Sequence, residues 1–241
     1  MTIKDNLLTI GERIRQAEYK YGRPAGSVQL LAVSKHQALS ALEEALQVGQ
    51  LALGENYVQE MAEKAAQLTH YPVEWHFIGP IQANKTRQIA ELATWVHSVD
   101  RLKIAERLSK QNPKPDCPIQ ICLQVNISAE SSKSGVSAEQ LFELAEAVSG
   151  LPHLRLRGLM AIPAPEADFA KQRQALAAVR GLFEQLQAQG FPLDTLSMGM
   201  SNDLEAAIAE GATLVRLGTA IFGARRDWST CYSEIDGGSI A

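Results

Sequence analysis

Cysteine is scarce in this chain: Cys117, Cys122 and Cys231 are the only three among 241 residues. They form no C-x-x-C pair, and an odd, widely spaced set argues against a disulfide framework and a cysteine zinc site, which fits a reducing cytoplasm. Long apolar runs are missing as well. No stretch approaches the roughly 18 residues of a membrane helix, and the N-terminal segment is charged and periodic, without a signal-peptide core. Positive charge is not in excess. The 23 Lys and Arg stand against 27 Asp and Glu, a net charge of −4, so no broad basic surface is expected for a nucleic-acid backbone. His76, His97 and His153 lack the i, i+4 or carboxylate spacing of a metal cluster, so structural roles and no metal are expected. No Ser/His/Asp order stands out, and no catalytic residue is assigned.

What is present is the composition of an ordinary globular chain, 46% apolar and 21% charged, with length for one large α/β domain. Over residues 3–21, Leu7, Leu8, Ile10, Ile14 and Ala17 recur at helical spacing among Glu12, Arg13, Arg15 and Glu18, which predicts an amphipathic covering helix. After Gly22 and Pro24, short apolar runs alternate with amphipathic stretches through eight cycles. The runs lie at 28–33, 51–53, 75–78, 94–99, 119–125, 154–160, 195–198 and 213–217; helical patterns include 40–48, 56–68, 138–148, 169–189 and 203–210. Such alternation implies parallel strands with right-handed crossovers, and eight units favour closure into a barrel without edges. The expected fold is a single α/β, (β/α)8 TIM barrel over residues 1–225. Residues 226–241, polar and carrying Gly237 and Gly238, are expected to be a disordered tail.

In such a barrel the strand ends gather at one mouth, which ranks polar residues by position. Lys35 follows the run Leu30-Leu31-Ala32-Val33-Ser34 and so brings an amine to the mouth. An ordinary lysine, with a pKa of about 10.4, is neutral in only about one molecule in a thousand at pH 7; partial burial would favour the nucleophilic form. The turn after the seventh run, Ser197-Met198-Gly199-Met200-Ser201-Asn202-Asp203, combines glycine with hydroxyls. It suits an anion, but taken alone it favours a helix cap by Ser201 or Asn202. Gly218 and Thr219 directly after the eighth run tip the balance, because the loops after strands seven and eight are the recurrent phosphate site of these barrels. Arg216 sits inside the run Leu214-Val215-Arg216-Leu217, where a guanidinium needs an anion or acceptor; the readings are a ligand, a structural carboxylate or an outward-facing side chain. Asn56 ends the second run, facing the mouth or capping a helix. Residues 79–86 approach the nucleotide pattern G-x-x-x-x-G-K-[ST], but Asn84 replaces the second glycine and Pro80 removes an amide. They are read instead as opening the third helix.

Six segments together resemble the pyridoxal phosphate homeostasis family, also called proline synthetase co-transcribed homologues. They are Ala32-Val33-Ser34-Lys35, Gly54-Glu55-Asn56, His76-Phe77-Ile78-Gly79 with Gln82-Ala83-Asn84-Lys85, Gly158-Leu159-Met160, Ser197-Met198-Gly199-Met200-Ser201 and Val215-Arg216-Leu217-Gly218-Thr219. The resemblance implies the barrel of the alanine racemase N-terminal domain type, with pyridoxal 5'-phosphate (PLP) held as an imine on Lys35. It implies phosphate contacts at Ser197, Gly199, Met200, Ser201, Gly218 and Thr219, a ring nitrogen near Arg216, and Asn56 at the rim. The implied role is cytoplasmic PLP (vitamin B6) and amino-acid homeostasis without an established reaction, with PLP-dependent apoenzymes as conceivable partners. Barrel racemases use a second domain that supplies a tyrosine; only Tyr232 follows the last strand here, so a monomeric, non-catalytic protein is expected. A small PLP-dependent racemase or a lysine-imine aldolase is the alternative.

Overall fold

The computed structural model describes residues 2–127 and 134–223. The expected tail at 226–241, with Cys231 and Tyr232, lies outside the described residues. The chain opens with α1 (Ile3–Lys20), then alternates β1 (Gln29–Val33), α2 (Leu39–Gln47), β2 (Ala52–Glu55), α3 (Val58–Gln67), β3 (Glu74–Phe77), α4 (Thr86–Leu92), β4 (Trp95–Val99) and α5 (Leu102–Gln111). It continues as β5 (Ile119–Val125), α6 (Ala138–Ser149), β6 (Leu154–Ala161), α7 (Phe169–Ala188), β7 (Thr195–Ser197), α8 (Leu204–Ala209), β8 (Leu214–Leu217) and α9 (Thr219–Phe222). The eight strands pair in chain order as a closed, parallel barrel. Closure is made by β1 against β8, from Gln29↔Leu214 to Ala32↔Leu217.

The covering helix begins where Thr2 and Asp5 exchange hydrogen bonds, the Thr2 hydroxyl accepting from the Asp5 amide and the Asp5 carboxylate from the Thr2 amide, a capping box. Its Ile10, Ile14 and Ala17 are buried. Glu18 is buried too, and its carboxylate accepts the amides of Gly26 and Val28, steering the chain into β1. Asn6 of the same helix donates to the Ile221 carbonyl of α9 at 2.8 Å.

Between barrel and helices lies an aliphatic layer: Leu42, Met61, Ile104, Leu108, Leu141 and Leu176 are each fully buried, which stabilises the fold by about 1.5–3 kcal/mol per side chain. The lumen differs. Alternation along a strand turns Trp95 and His97 the same way, and His97 bonds Ser197 of β7, a strand that does not neighbour β4. These side chains therefore point into the barrel, where His76, Gln124 and Arg216 are also buried. The expected third helix starts later than residue 79: residues 79–82 form a loop, Ala83–Lys85 a 3-10 turn, and α4 begins at Thr86.

Candidate functional site

β1 stops at Val33, and Ser34, Lys35 and His36 lead the chain over the mouth. Lys35 is half-buried. Its neighbours are pinned from below. The buried Lys64 ammonium of α3 donates to the Ser34 carbonyl, to Glu55 and to Glu60, each at 2.7 Å. The Ser34 hydroxyl donates to Glu55 at 2.6 Å, and Glu60 accepts the His36 amide at 2.6 Å. His36 itself has φ +60°, a left-handed conformation that a β-carbon disfavours and that the Glu60 bond helps to hold. Burial pushes the Glu55 carboxyl up to about 7, and its second oxygen has no hydrogen-bond partner among the described residues.

On the neighbouring strand β8, Arg216 is buried and donates to the Ser197 carbonyl, the Ser197 hydroxyl and the Ala161 carbonyl at 2.5, 2.8 and 2.9 Å. Among the described residues no carboxylate pairs with it, so the acceptors that a strand guanidinium demands are carbonyls and a hydroxyl. Burial brings its ionisation down to about 10, still charged at neutral pH. Gly199 follows at φ +98°, and a β-carbon there would stand 2.5 Å from that of Ala207; only glycine fits. The turn that follows is closed by Asp203, whose carboxylate accepts the Met200 amide at 2.6 Å. Asp203, not Ser201 or Asn202, stands at the start of α8, and without a side-chain cap bond. Asn56 likewise does not cap α3, whose first flanking residue is Tyr57. Gly79 presses on Asn56 instead: a β-carbon at Gly79 would lie 2.0 Å from the Asn56 carbonyl oxygen.

Lys35, Asn56, Met200, Ser201, Arg216, Gly218 and Thr219 line one cavity of about 160 Å³. Met200, Ser201 and Thr219 also border a wider groove of about 1050 Å³ beside it. Ser197 and Gly199 do not reach the cavity wall; they lie beneath it, as supports of Arg216. Val33, Gln37, Ile78 and Ile162 complete the wall, and sequence reasoning passed over them, as it did over the Glu55, Glu60 and Lys64 cluster. The i, i+4 spacing of Glu60 and Lys64 was a usable signal for the latter. The Asn56 side-chain oxygen is buried without a partner among the described residues, a polar atom that a ligand in this cavity would satisfy. Among the described residues, no group of three or more His, Cys, Asp and Glu could hold a metal ion, and no helix is long and apolar enough to cross a membrane.

Residues 6–226 match the family described as alanine racemase, N-terminal domain. A relative from Pseudomonas aeruginosa named pyridoxal phosphate homeostasis protein is 58% identical over 224 residues, covering 93% of this chain and 96% of its own length. The chain belongs to the pyridoxal phosphate homeostasis family. Within reach of that family lies PipY of Synechococcus elongatus, whose solved structure with PLP bound is 37% identical, with a TM-score of 0.77, covering 87% of this chain and all 100% of that one. An alanine racemase from Clostridium difficile shares the fold at 13% identity, with a TM-score of 0.73, covering 94% of this chain but 57% of that one.

Proposed function

We propose that this member of the family holds PLP as an imine on Lys35 and serves PLP and amino-acid homeostasis as a non-catalytic, monomeric carrier. The observation that carries the proposal is the convergence on one cavity of a half-buried amine, an unsatisfied Asn56 oxygen, a guanidinium and two hydroxyl-bearing turns. When bound, PLP supplies an aldehyde carbon and an electron-accepting ring. The residues do the rest. Ser201, Gly218 and Thr219 suit the phosphate, whose charge is about −1.5 to −2 at neutral pH. Arg216, a donor only, would hold the ring nitrogen unprotonated, which would weaken the ring as an electron sink and suit holding over turnover. A β-carbon at Gly218 would come within 3.0 Å of the Val33 carbonyl, so glycine also keeps β8 and β1 tight behind the phosphate turn. PLP-dependent apoenzymes in the cytoplasm are the candidate recipients.

The test is the visible spectrum of purified protein loaded with PLP, wild type beside Lys35→Ala, before and after borohydride. The expected result is a yellow wild type that becomes permanently labelled on the Lys35 peptide, a colourless variant, and no interconversion of alanine isomers. A colourless wild type, label on another peptide, or measurable racemisation refutes the proposal.

A further inference from the structure

Below Arg216, buried side chains run in single file across the lumen. The guanidinium donates to the Ser197 hydroxyl at 2.8 Å, and that oxygen lies 2.8 Å from His97 Nδ1. His97 Nε2 lies 2.9 Å from His76 Nδ1, and His76 Nε2 lies 3.7 Å from a Glu74 carboxylate oxygen. Arg216 sits at the cavity, whereas Glu74 opens β3 at the opposite rim with its side chain 45% exposed. The file therefore joins the mouth of the barrel to its floor.

Its direction follows from chemistry. A guanidinium can only donate, so the Ser197 oxygen accepts from Arg216 and its own proton goes to its remaining partner, His97 Nδ1. His97 then carries its proton on Nε2 and donates it to His76 Nδ1. His76 in turn carries its proton on Nε2, which makes no hydrogen bond among the described residues and lies 3.7 Å from the Glu74 carboxylate. The Glu74 charge at the floor favours the same proton placement that the donor at the mouth sets, by attraction and without a hydrogen bond. Both imidazoles have their one accepting nitrogen occupied, so neither gains a proton without breaking a link. Burial acts the same way, lowering the basicity of His76 and, more strongly, of His97. The ionisable groups around the file are Glu74 from β3, Cys122 from β5, Arg157 from β6, Asp194 ahead of β7 and Arg216 from β8. Trp95 stacks on His76 with ring centres 5.6 Å apart, Arg157 lies over Trp95 at 4.8 Å, and Asp194 pairs with Arg157 at 2.7 Å.

We propose that Ser197, His97 and His76 form a neutral, one-way relay that positions Arg216 from below without cancelling its charge, leaving that charge to whatever the cavity binds. The effect on a bound ring rests on the PLP reading; the proton arrangement does not. Nitrogen-15 imidazole spectra of the protein without PLP, from about pH 5 to 8, test the arrangement. Both rings should stay neutral and protonated on Nε2, and Ser197→Ala should free His97 to exchange tautomers. A proton on Nδ1 of either ring, or a second proton on His97 in that range, overturns the relay. In PLP-loaded protein, His97→Gln and Ser197→Ala should keep the Lys35-linked band while moving its pH midpoint by about one unit, a tenfold change in proton affinity. An unmoved midpoint in both variants, with only reduced unfolding resistance, reduces the file to scaffolding and overturns its positioning role. Should the wild type take up no PLP, the PLP reading fails, while the ring spectra still decide the relay.

Discussion

Glu55→Gln replaces a buried acid with a neutral amide of the same shape, and its effect on stability should depend strongly on pH. Burial raises the carboxyl from 4.5 to about 7, with Lys64 pulling it down, Glu60 pushing it up, and Ser34 opposing through its hydrogen bond. That rise corresponds to about 3 kcal/mol at 1.36 kcal/mol per pH unit. The sign follows from which state holds the proton more tightly. The folded state does, so the stabilisation is complete below about pH 4.5 and is lost as pH climbs through about 7. Glutamine has no such proton. The stability of wild type relative to Glu55→Gln should therefore fall by about 3 kcal/mol between about pH 4.5 and 8. Urea unfolding followed by circular dichroism, on both proteins at each pH, measures it, since titrations common to both cancel in the difference. Parallel stability curves would refute the assignment of a buried, proton-holding acid under the Lys35 turn.

Gly199→Ala should cost about 2–5 kcal/mol, from about 1–2 for a side chain in left-handed backbone and about 1–3 for overpacking against Ala207. Because the Gly199 carbonyl also accepts the Arg216 amide at 2.9 Å, PLP binding should weaken alongside; a loss below about 1 kcal/mol in urea unfolding would count against the close approach. Burial pushes the Cys122 thiol up to about 12, whereas Cys117 is exposed. Peptide mapping of timed alkylation at about pH 8 should find Cys117 modified first and Cys122 only after unfolding, since the thiolate is the reacting form.

The barrel was legible because each strand carries its own apolar run and each helix its own stripe, signals held within a dozen residues. Lys35 and Asn56 could be placed at the mouth because strand ends define it, and Arg216 stood out because a guanidinium inside a strand demands acceptors. The polar interior was not. His97 and Ser197 stand 100 positions apart on strands that do not touch, and no local periodicity joins them. Ser197 and Gly199 were grouped with the ligand turn by adjacency, but Ser197 is the last residue of β7 and points inward, while Met200 and Ser201 run past the strand end to the rim. The extent of α8 was read to within a residue, but its cap was not: Asp203 turns its carboxylate back on the Met200 amide, a closure that composition alone does not distinguish from a cap by Ser201 or Asn202.

Half of the cavity wall, Lys35 and Asn56, is translated early, and the other half, Ser201 to Thr219, comes near the end. Neither half stands without the seam between β1 and β8, which joins residues more than 180 positions apart. A chain ending before β8 lacks Arg216, Gly218 and Thr219 of the wall and the strand that holds β1 against them. Under the proposed PLP reading, capture of the ligand would therefore mark a chain whose seam has closed.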